Sequence, residues 1–356
     1  MAYKKIEQSF SFADIALNKN ADRNRSMQFL RKVSNTIDWK PVEKFLMEYY
    51  QIGKSKEGER AYSPLLLFKC LLLQNWFQIK SDPELENLIC DQLSFRDFLK
   101  LPMEYPSPEH STIKNLSKEA MIKVNSEILK QFHPHGISIN KWVAVDARLV
   151  KSANKPIPKK QMKKLKAYLD TPESRLDKNN NLKKFARDFE SDWTINLKVT
   201  RKNDKPHYEF KEHTSVDTET GFILSTTLSL SSRNDSKYLP YAVVYSMHAG
   251  EVKIAYADKG YSGALNREFL SMNNILDGIM RKDNINAKLT DTEIERNKAI
   301  SKYRYIAEQY FDISRLHDKG GKARFPKMFK NLIALMFQQF AFNLKKGAEI
   351  LNVTPG

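Results

Sequence analysis

The spacing of apolar residues changes character near residue 136. Before that point apolar side chains recur every three or four residues, as at Phe29, Val33 and Ile37, which is typical of amphipathic helices. After it, short apolar runs indicate strands at 141–148, 194–201, 208–217, 222–230, 252–258 and 275–281. Helical stretches follow near 236–248, 262–273 and 290–316. The pattern predicts an α/β fold in which a helical region precedes a mixed sheet covered by helices.

This pattern divides the chain into three predicted parts. A helical N-terminal domain occupies 1–135, a mixed-sheet domain occupies 136–320, and a C-terminal helix within 321–356 packs on the core. The N-terminal part is either a module that binds DNA ends or a helical packing domain. A basic insertion at 151–192 interrupts the strands and is either a solvated surface excursion or an arm that contacts DNA phosphates.

The charge of the chain favours a polyanionic partner. Its 356 residues carry 59 Lys and Arg against 42 Asp and Glu, a net charge of +17, and binding to phosphates releases condensed counterions. With 41% hydrophobic residues the chain is globular, and the two cysteines have neither zinc-site spacing nor the number for a disulfide framework. The N-terminus lacks the apolar core of a signal peptide, and the apolar run at 65–77 is too short to span a membrane. We therefore expect a cytoplasmic protein.

Two predicted strands each lead into an aspartate. Trp142-Val-Ala-Val is followed by Asp146, and Ile254-Ala-Tyr-Ala is followed by Asp258. A carboxylate at the end of a buried strand is unfavourable unless it is paired or holds a metal. If the two strands are neighbours, both carboxylates reach one ion, and Gly260 permits the chain to turn away tightly.

A third acid, Glu308, lies on the long predicted helix. At about 100° per residue, Ser301, Arg304 and Arg315 share its face. An arginine one turn before a metal-binding glutamate can hold a phosphate by a bidentate contact. Oxygen ligands without His or Cys suit Mg²⁺ or Mn²⁺, and two such ions about 3.5–4 Å apart perform phosphoryl transfer. The ordinary alternatives are a surface turn at Asp146 and a helix ion pair between Arg304 and Glu308.

An ordered set of motifs surrounds these acids and extends over about 60–345. They are Tyr62-Ser-Pro-Leu, Ser94-Phe-Arg-Asp-Phe-Leu, Pro108-Glu-His-Ser-Thr-Ile, Asp146-Ala-Arg-Leu-Val, Phe210-Lys-Glu-His-Thr-Ser-Val-Asp, Ser232-Arg-Asn-Asp-Ser, Ala257-Asp-Lys-Gly-Tyr, Ile279-Met-Arg-Lys and the run from Asn297 to Glu308. In this order they resemble the DDE transposases of bacterial insertion sequences, in the IS-five group of the IS4/IS5-like superfamily.

The resemblance implies an RNase H-like catalytic core with Asp146, Asp258 and Glu308 as the metal-binding triad. It implies two Mg²⁺ ions per site, replaceable by Mn²⁺, and an enzyme that binds terminal inverted repeats, cleaves there and joins the 3′-OH ends to target DNA. The N-terminal domain would bind the repeats and dimerise. Ser301 stands where a tyrosine is common in the superfamily, and Arg315 stands where a lysine is common. Asn234 replaces a histidine that is usual before Asp235-Ser236.

Basic and aromatic residues around the triad are the expected DNA contacts. They are Arg304, Arg315, Lys302, Lys259, Tyr261, Lys282 and Arg148. We expect His213 to be structural, and Trp142 and Trp193 to belong to the core. Because transposition holds two DNA ends together, the expected working state is a homodimer on double-stranded DNA, associated with the bacterial nucleoid and not with a membrane. Two alternatives remain: a non-catalytic DNA-binding protein derived from a transposase, and a nuclease that hydrolyses without joining strands.

Overall fold

Helices form the first part of the chain. In a computed structural model they are α1 (Arg25–Thr36), α2 (Trp39–Tyr49), α3 (Pro64–Trp76), α4 (Asp82–Asp91), α5 (Leu93–Leu99) and α6 (Lys118–Lys130). The structure describes residues 23–50, 60–108, 118–139, 142–153, 192–195, 206–283, 288–317, 321–325 and 327–351, with a few isolated positions elsewhere. Nearly all of the predicted basic insertion at 151–192 lies outside the described residues, as does most of the strand predicted at 194–201.

Serine side chains define where two of these helices begin. Ser63 Oγ accepts a hydrogen bond from Leu66 N at 3.2 Å, and Pro64 occupies the first turn of α3, where no intrahelical donor is needed. Ser81 caps α4 in the same way through Glu84 N at 3.3 Å. These local interactions explain why the helical pattern is interrupted at these two points.

A continuous hydrophobic core joins the N-terminal helices to the rest of the chain. Phe68 of α3 packs against Phe337 and Phe340, with ring centroids 5.1 and 5.4 Å apart. Both phenylalanines belong to the last helix, Met328–Leu351, which also contacts the first helices and the sheet. The Met- and Phe-rich helix expected at the C-terminus is therefore present and packs on the core.

The strands in the described part of the chain form one mixed sheet. Its strands are β1 (Trp142–Lys151), β2 (Asp192–Ile195), β3 (Pro206–Asp217), β4 (Ile223–Leu230), β5 (Ile254–Ala257) and β6 (Leu276–Ile279). β1, β3 and β4 pair antiparallel, β5 and β6 run parallel to β1, and the order across the sheet is β4-β3-β1-β5-β6. β2 pairs with the beginning of β3. The mixed α/β fold predicted from the sequence is confirmed.

Helices cover both faces of this sheet. They are α7 (Leu239–Met247), α8 (Ala264–Met272), α9 (Asp291–His317) and α10 (Met328–Leu351). Ala307 of α9 packs against Ala144 and Val216 on one face, and these small side chains let the helix approach the strands closely. On the other face Ser246 of α7 bonds Ser215 of β3, with 2.7 Å between the hydroxyls. The sheet is thus enclosed between α7 and α9 near the middle of β1.

Two expectations about β1 are wrong. The strand does not end at Asp146, because β3 continues to pair with it as far as Lys151. What ends at Val145 is the pairing with β5, since Val145 opposite Ala257 is the last parallel pair. Trp142 is not a core residue, because it lies at the beginning of the strand with 40% of its surface exposed. The side chain of Trp193 lies outside the described part of the structure, so its core position stays a prediction.

None of the helices within the described ranges is long and apolar enough to cross a lipid bilayer.

Candidate catalytic site

Asp146 and Asp258, hereafter the acidic pair, lie side by side on neighbouring strands. Each follows the last residue pair of the parallel β1–β5 ladder, Val145 opposite Ala257. Adjacent strands are about 4.8 Å apart, so the two backbones leave the ladder next to each other. Asp258 begins a single three-residue turn of 3-10 helix, and its carboxylate accepts from the backbone N–H of Gly260. A side chain at position 260 would meet that carboxylate at 2.8 Å, which explains the glycine.

Arg304 connects the acidic pair to Glu308. Its guanidinium Nη2 lies 3.0 Å from Asp146 Oδ2 and 3.3 Å from Glu308 Oε1. Arg304 and Glu308 are one turn apart on α9, which explains why both face β1. The Arg304 side chain is 11% exposed, whereas Glu308 is 51% exposed and therefore has room to move. The structure thus brings Asp146, Arg304 and Glu308 together, with the arginine between the two acids.

Burial is the main influence on Asp146. It raises the pKa of the Asp146 carboxyl above its usual value, and the neighbouring Asp258 charge acts in the same direction. Arg304 and the N–H of Ala147, which donates to Asp146 at 2.8 Å, lower the same pKa but do not cancel the rise. Two carboxylates in this environment repel each other, and a cation between them relieves that repulsion.

Tyr261 and His213 form a buried layer beneath the acidic pair. Burial raises the pKa of the Tyr261 hydroxyl well above its usual range, and the charges of Asp235, Asp146 and Asp258 add to that rise. His213 Nδ1 lies 3.4 Å from this hydroxyl, and its Nε2 lies 2.8 Å from Ser229 Oγ. Burial lowers the pKa of His213 to about 3, so the ring is neutral at physiological pH.

The surroundings of His213 and Tyr261 give each a structural position. The His213 ring stacks on Tyr238, with centroids 4.3 Å apart, which agrees with the expected structural role of this histidine. Tyr261 was expected to contact DNA, but its side chain is 1% exposed. A phenol that is enclosed to this extent supports the turn that carries Asp258 and does not reach a DNA backbone in this conformation.

Sequence reasoning missed Asp235, with its partner Lys211, and Asn266, which shape the site. Lys211 Nζ lies 2.8 Å from Asp235 Oδ1, and Asp235 begins a short 3-10 turn next to the turn after Asp258. Asn266 Nδ2 donates to Ser236 O and to Tyr261 O, at 2.8 Å each, and so joins the two turns. The Asn-Asp-Ser motif at 234–236 was a usable signal for Asp235. A single asparagine within helix α8 gives no comparable signal.

Arg148 differs most from its predicted role as a DNA contact. Its side chain is 2% exposed and forms a 2.6 Å ion pair with Glu212, which lies opposite it on β3. Its other nitrogens donate to Phe311 O at 3.2 Å and to Ser314 Oγ at 3.1 Å. A buried guanidinium whose donors are satisfied inside the protein cannot contact a phosphate in this conformation. Arg148 instead fastens α9 to the sheet.

The remaining predicted DNA contacts lie on the surface. Lys259, Lys282 and Lys302 are exposed, as is Ser301 one turn before Arg304. Arg315 is also exposed and lies about two helical turns beyond Glu308, where it pairs with Asp312 at 3.4 Å. Their exposure leaves these side chains accessible to a partner at the protein surface.

The donor set of the site fits a divalent cation of the Mg²⁺ type. Asp146, Asp258 and Glu308 offer only carboxylate oxygens, which Mg²⁺ and Mn²⁺ prefer. In this conformation, no three His, Cys, Asp or Glu side chains among the described residues lie close enough to hold a metal together. The positive charge of Arg304 lies between Asp146 and Glu308. Asp146 and Glu308 therefore share a cation that the chain itself supplies.

Comparison with known proteins agrees with this arrangement. A protein-family model described as "Transposase DDE domain" matches residues 143–344, and one described as "Transposase domain (DUF772)" matches residues 17–119. The transposase for insertion sequence element IS1106 of Neisseria meningitidis serogroup B is 32% identical over 152 residues, which are 43% of this chain and 51% of that protein. The match therefore spans about half of the relative's length.

Among solved structures, the piggyBac transposase synaptic complex with hairpin DNA aligns over 94% of this chain and 80% of that chain. The TM-score is 0.39 and the identity 10%, values too low to support an argument about fold or function. The family model described as "Transposase DDE domain" covers more than half of the chain, including all three acids and Arg304. The chain belongs to the transposase DDE domain family.

Proposed function

We propose that the protein is an insertion-sequence transposase of the IS-five group. It binds the terminal inverted repeats of its element, cleaves DNA at the element ends and joins the 3′-OH ends to target DNA. The observation that carries this proposal is the meeting of Asp146, Asp258, Arg304 and Glu308 from β1, the end of β5 and α9. Acidic side chains alone occur on many surfaces, but the family match adds a reason to assign them to DNA phosphoryl transfer.

Asp146, Asp258 and Glu308 would hold two Mg²⁺ ions, or Mn²⁺ in their place. When bound, such ions supply activation of the attacking water or 3′-hydroxyl and stabilisation of the leaving oxygen. The acidic pair is already oriented by the strands and by Gly260, whereas the half-exposed Glu308 turns from Arg304 toward the pair. The chain thus contributes two fixed ligands and one movable ligand.

Arg304 would pass from the carboxylates to the reacting phosphate. Its Nε is buried and has no hydrogen-bond acceptor in the part of the chain that the structure describes. An unused buried donor is unfavourable, and a phosphate oxygen would satisfy it while Nη2 remains near Asp146. This gives a charge-assisted hydrogen bond between the guanidinium and the phosphate.

The rest of the chain supports DNA as the partner. Lys259, Lys282, Lys302 and Arg315 carry exposed positive charge, and the net charge of +17 favours polyanion binding. We assign terminal-repeat binding and dimerisation to the N-terminal helical domain at 1–135. A homodimer on DNA, associated with the bacterial nucleoid in the cytoplasm, would hold both element ends for joining.

The proposal is tested with duplexes taken from the two ends of the element that carries the gene. Purified protein is incubated with a labelled end duplex, a target plasmid and Mg²⁺, with EDTA replacing Mg²⁺ in the control. We expect cutting at the end of the repeat and covalent joining of the 3′ end to the plasmid. Cutting without joining would indicate a nuclease, and binding without cutting would indicate a non-catalytic DNA-binding protein; each result would overturn the proposal.

A further inference from the structure

Three arginines from different parts of the chain meet around Asp277 of β6. They are Arg267 of α8, Arg281 just after β6, and Arg296 of α9, hereafter the Asp277 arginine cluster. Asp277 is 26% exposed and the arginines are between 22% and 40% exposed, so the cluster lies at the surface. The charges of three guanidiniums exceed that of the single carboxylate that they surround.

Two of the three arginines hold fixed positions. Arg267 pairs directly with the Asp277 carboxylate, and its Nη2 donates to Ser262 Oγ at 3.2 Å. Arg296 donates to the backbone oxygens of Ile279 at 2.8 Å and of Asp277 at 2.6 Å. Arg267 thus joins α8 to β6, and Arg296 joins α9 to β6. The structural function of the cluster therefore does not require the third arginine.

Arg281 is the open member of the cluster. Its guanidinium is 40% exposed and its nearest Asp277 oxygen is 3.7 Å away, which is an ion pair without a close hydrogen bond. Its backbone, in contrast, is held on both sides by Asn297, whose Oδ1 accepts from Arg281 N at 2.8 Å and whose Nδ2 donates to Arg281 O at 3.0 Å. The backbone of Arg281 is thus fixed, while its guanidinium keeps N–H donors that form no hydrogen bond with the described residues.

The electrostatics of the cluster favour an additional anion. Burial lowers the pKa of Arg296, and the charges of Arg281 and Arg267 lower it further, although Asp277 raises it. Glu293 lies within electrostatic range, but its carboxylate is already used by the N–H and hydroxyl of Thr290 at 3.0 and 3.1 Å. Like charges held this close together repel, and a phosphate placed among them would remove that repulsion.

The position of the cluster connects it to the acidic pair. β6 is the neighbour of β5, and Met280 N donates to Ala257 O at 2.9 Å, so the backbone of Arg281 lies one strand away from Asp258, at the same end of these parallel strands. The spacing between strands is about 4.8 Å. Phosphates of one DNA strand succeed each other with a rise of about 3.4 Å per nucleotide. A strand whose phosphate reaches the acidic pair therefore carries further phosphates past the end of β6, within the reach of an Arg281 side chain that extends away from Asp277.

We propose that the Asp277 arginine cluster is a second phosphate-binding site, which holds the DNA backbone a few nucleotides from the reacting phosphate. Arg281 makes the contact, and Arg267 and Arg296 hold Asp277 and the strand in place. The assignment rests on the proposed function only in requiring that DNA is the partner. It makes Arg281 a residue that positions DNA and does not enter the chemistry.

The test measures the affinity for a labelled random-sequence duplex of about 30 base pairs at several salt concentrations, in EDTA so that cutting does not interfere. Each phosphate contact contributes about 0.9 to the slope of log affinity against log salt. We expect Arg281→Gln to lower the magnitude of that slope by about one, and Arg281→Lys to preserve most of it. The matched control is Lys253→Gln, which removes an exposed charge at the opposite end of β5.

Two results would overturn the proposal. An Arg281→Gln slope equal to that of the wild type would show that the residue contacts no phosphate. An equal loss in Lys253→Gln would show a general effect of net charge and no site at Arg281. If the wild-type protein binds and cuts DNA while Arg281→Gln keeps its slope, only this inference fails. If the wild-type protein binds no DNA, this inference and the proposed function fail together.

Discussion

Arg304 lies 3.0 Å from Asp146 and joins helix α9 to strand β1 at the acidic pair. The same guanidinium reaches Glu308 at 3.3 Å, so one arginine neutralises two of the three proposed metal ligands. Such a counter-charge stabilises the acids before a metal binds, because the partly buried carboxylates of Asp146 and Asp258 otherwise repel each other. We infer that Arg304 keeps the site assembled without metal and holds the phosphate when metal and DNA are bound.

Arg304→Gln should remove this counter-charge and the phosphate contact together. We expect the rate of DNA cutting to fall by about 10²–10³, the usual effect of deleting one preorganised group that stabilises transition-state charge. Arg304→Lys should recover only part of the rate, because lysine retains the charge but not the planar fork. The measurement is single-turnover cutting of an end duplex with Mg²⁺.

The matched control for that experiment is Arg315→Gln on the same helix. Arg315 is exposed and pairs only weakly with Asp312, about two turns from Glu308. We expect this variant to cut at close to the wild-type rate while its binding depends less on salt. Wild-type cutting by Arg304→Gln, or an equal loss in both variants, would contradict the role given to Arg304.

Arg148→Met should destabilise the fold and not the complex with DNA. The change leaves Glu212 buried without its partner, and breaking a buried ion pair on one side costs about 3–5 kcal/mol. The double variant with Glu212→Leu should recover much of that loss, since both charges are then gone. Urea denaturation gives the free energies of unfolding. A stable Arg148→Met protein with weakened DNA binding would instead favour the surface role predicted from the sequence.

His213 should make stability depend on pH between about 3 and 6.5. Its pKa in the folded protein is about 3, below the ordinary 6.5, so the unfolded chain takes up a proton that the folded chain excludes. The stabilisation is complete above 6.5 and falls by about 1.4 kcal/mol for each pH unit below it. Because carboxylates titrate in the same range, the measured quantity is the difference between wild type and His213→Gln in urea denaturation at pH 4–7. Identical pH slopes would show that His213 is not the group responsible.

The sequence was informative where chemistry follows from neighbours along the chain. Apolar runs before Asp146 and Asp258 indicated buried strands, and the one-turn spacing of Arg304 and Glu308 indicated a shared helix face; the structure shows these features. Pairing across strands was not visible in this way. That Glu212 lies opposite Arg148 depends on the register of β3 against β1, and charge alone suggested a surface contact for Arg148.

Other errors also arose because the local sequence does not report contacts between distant parts of the chain. Asp146 was expected to end its strand because the apolar run ends there, but β3 supplies backbone partners as far as Lys151. Trp142 was expected in the core because it is large and aromatic, yet it lies exposed at the beginning of β1 beside Tyr303, with ring centroids 5.7 Å apart. Asn266 joins two turns through tertiary hydrogen bonds that no local pattern reports.

The central claim is that the acidic pair and Glu308 perform metal-dependent DNA cutting, and Asp258→Asn tests it most directly. The substitution keeps the shape of the side chain but removes the charge that a cation requires. Glu251→Gln is the control, because it removes an exposed acid that precedes β5 at the far end of the strand. The account predicts that, with Mg²⁺, Asp258→Asn binds the end duplex with wild-type affinity but does not cut it, while Glu251→Gln binds and cuts normally. Undiminished cutting by Asp258→Asn would contradict it.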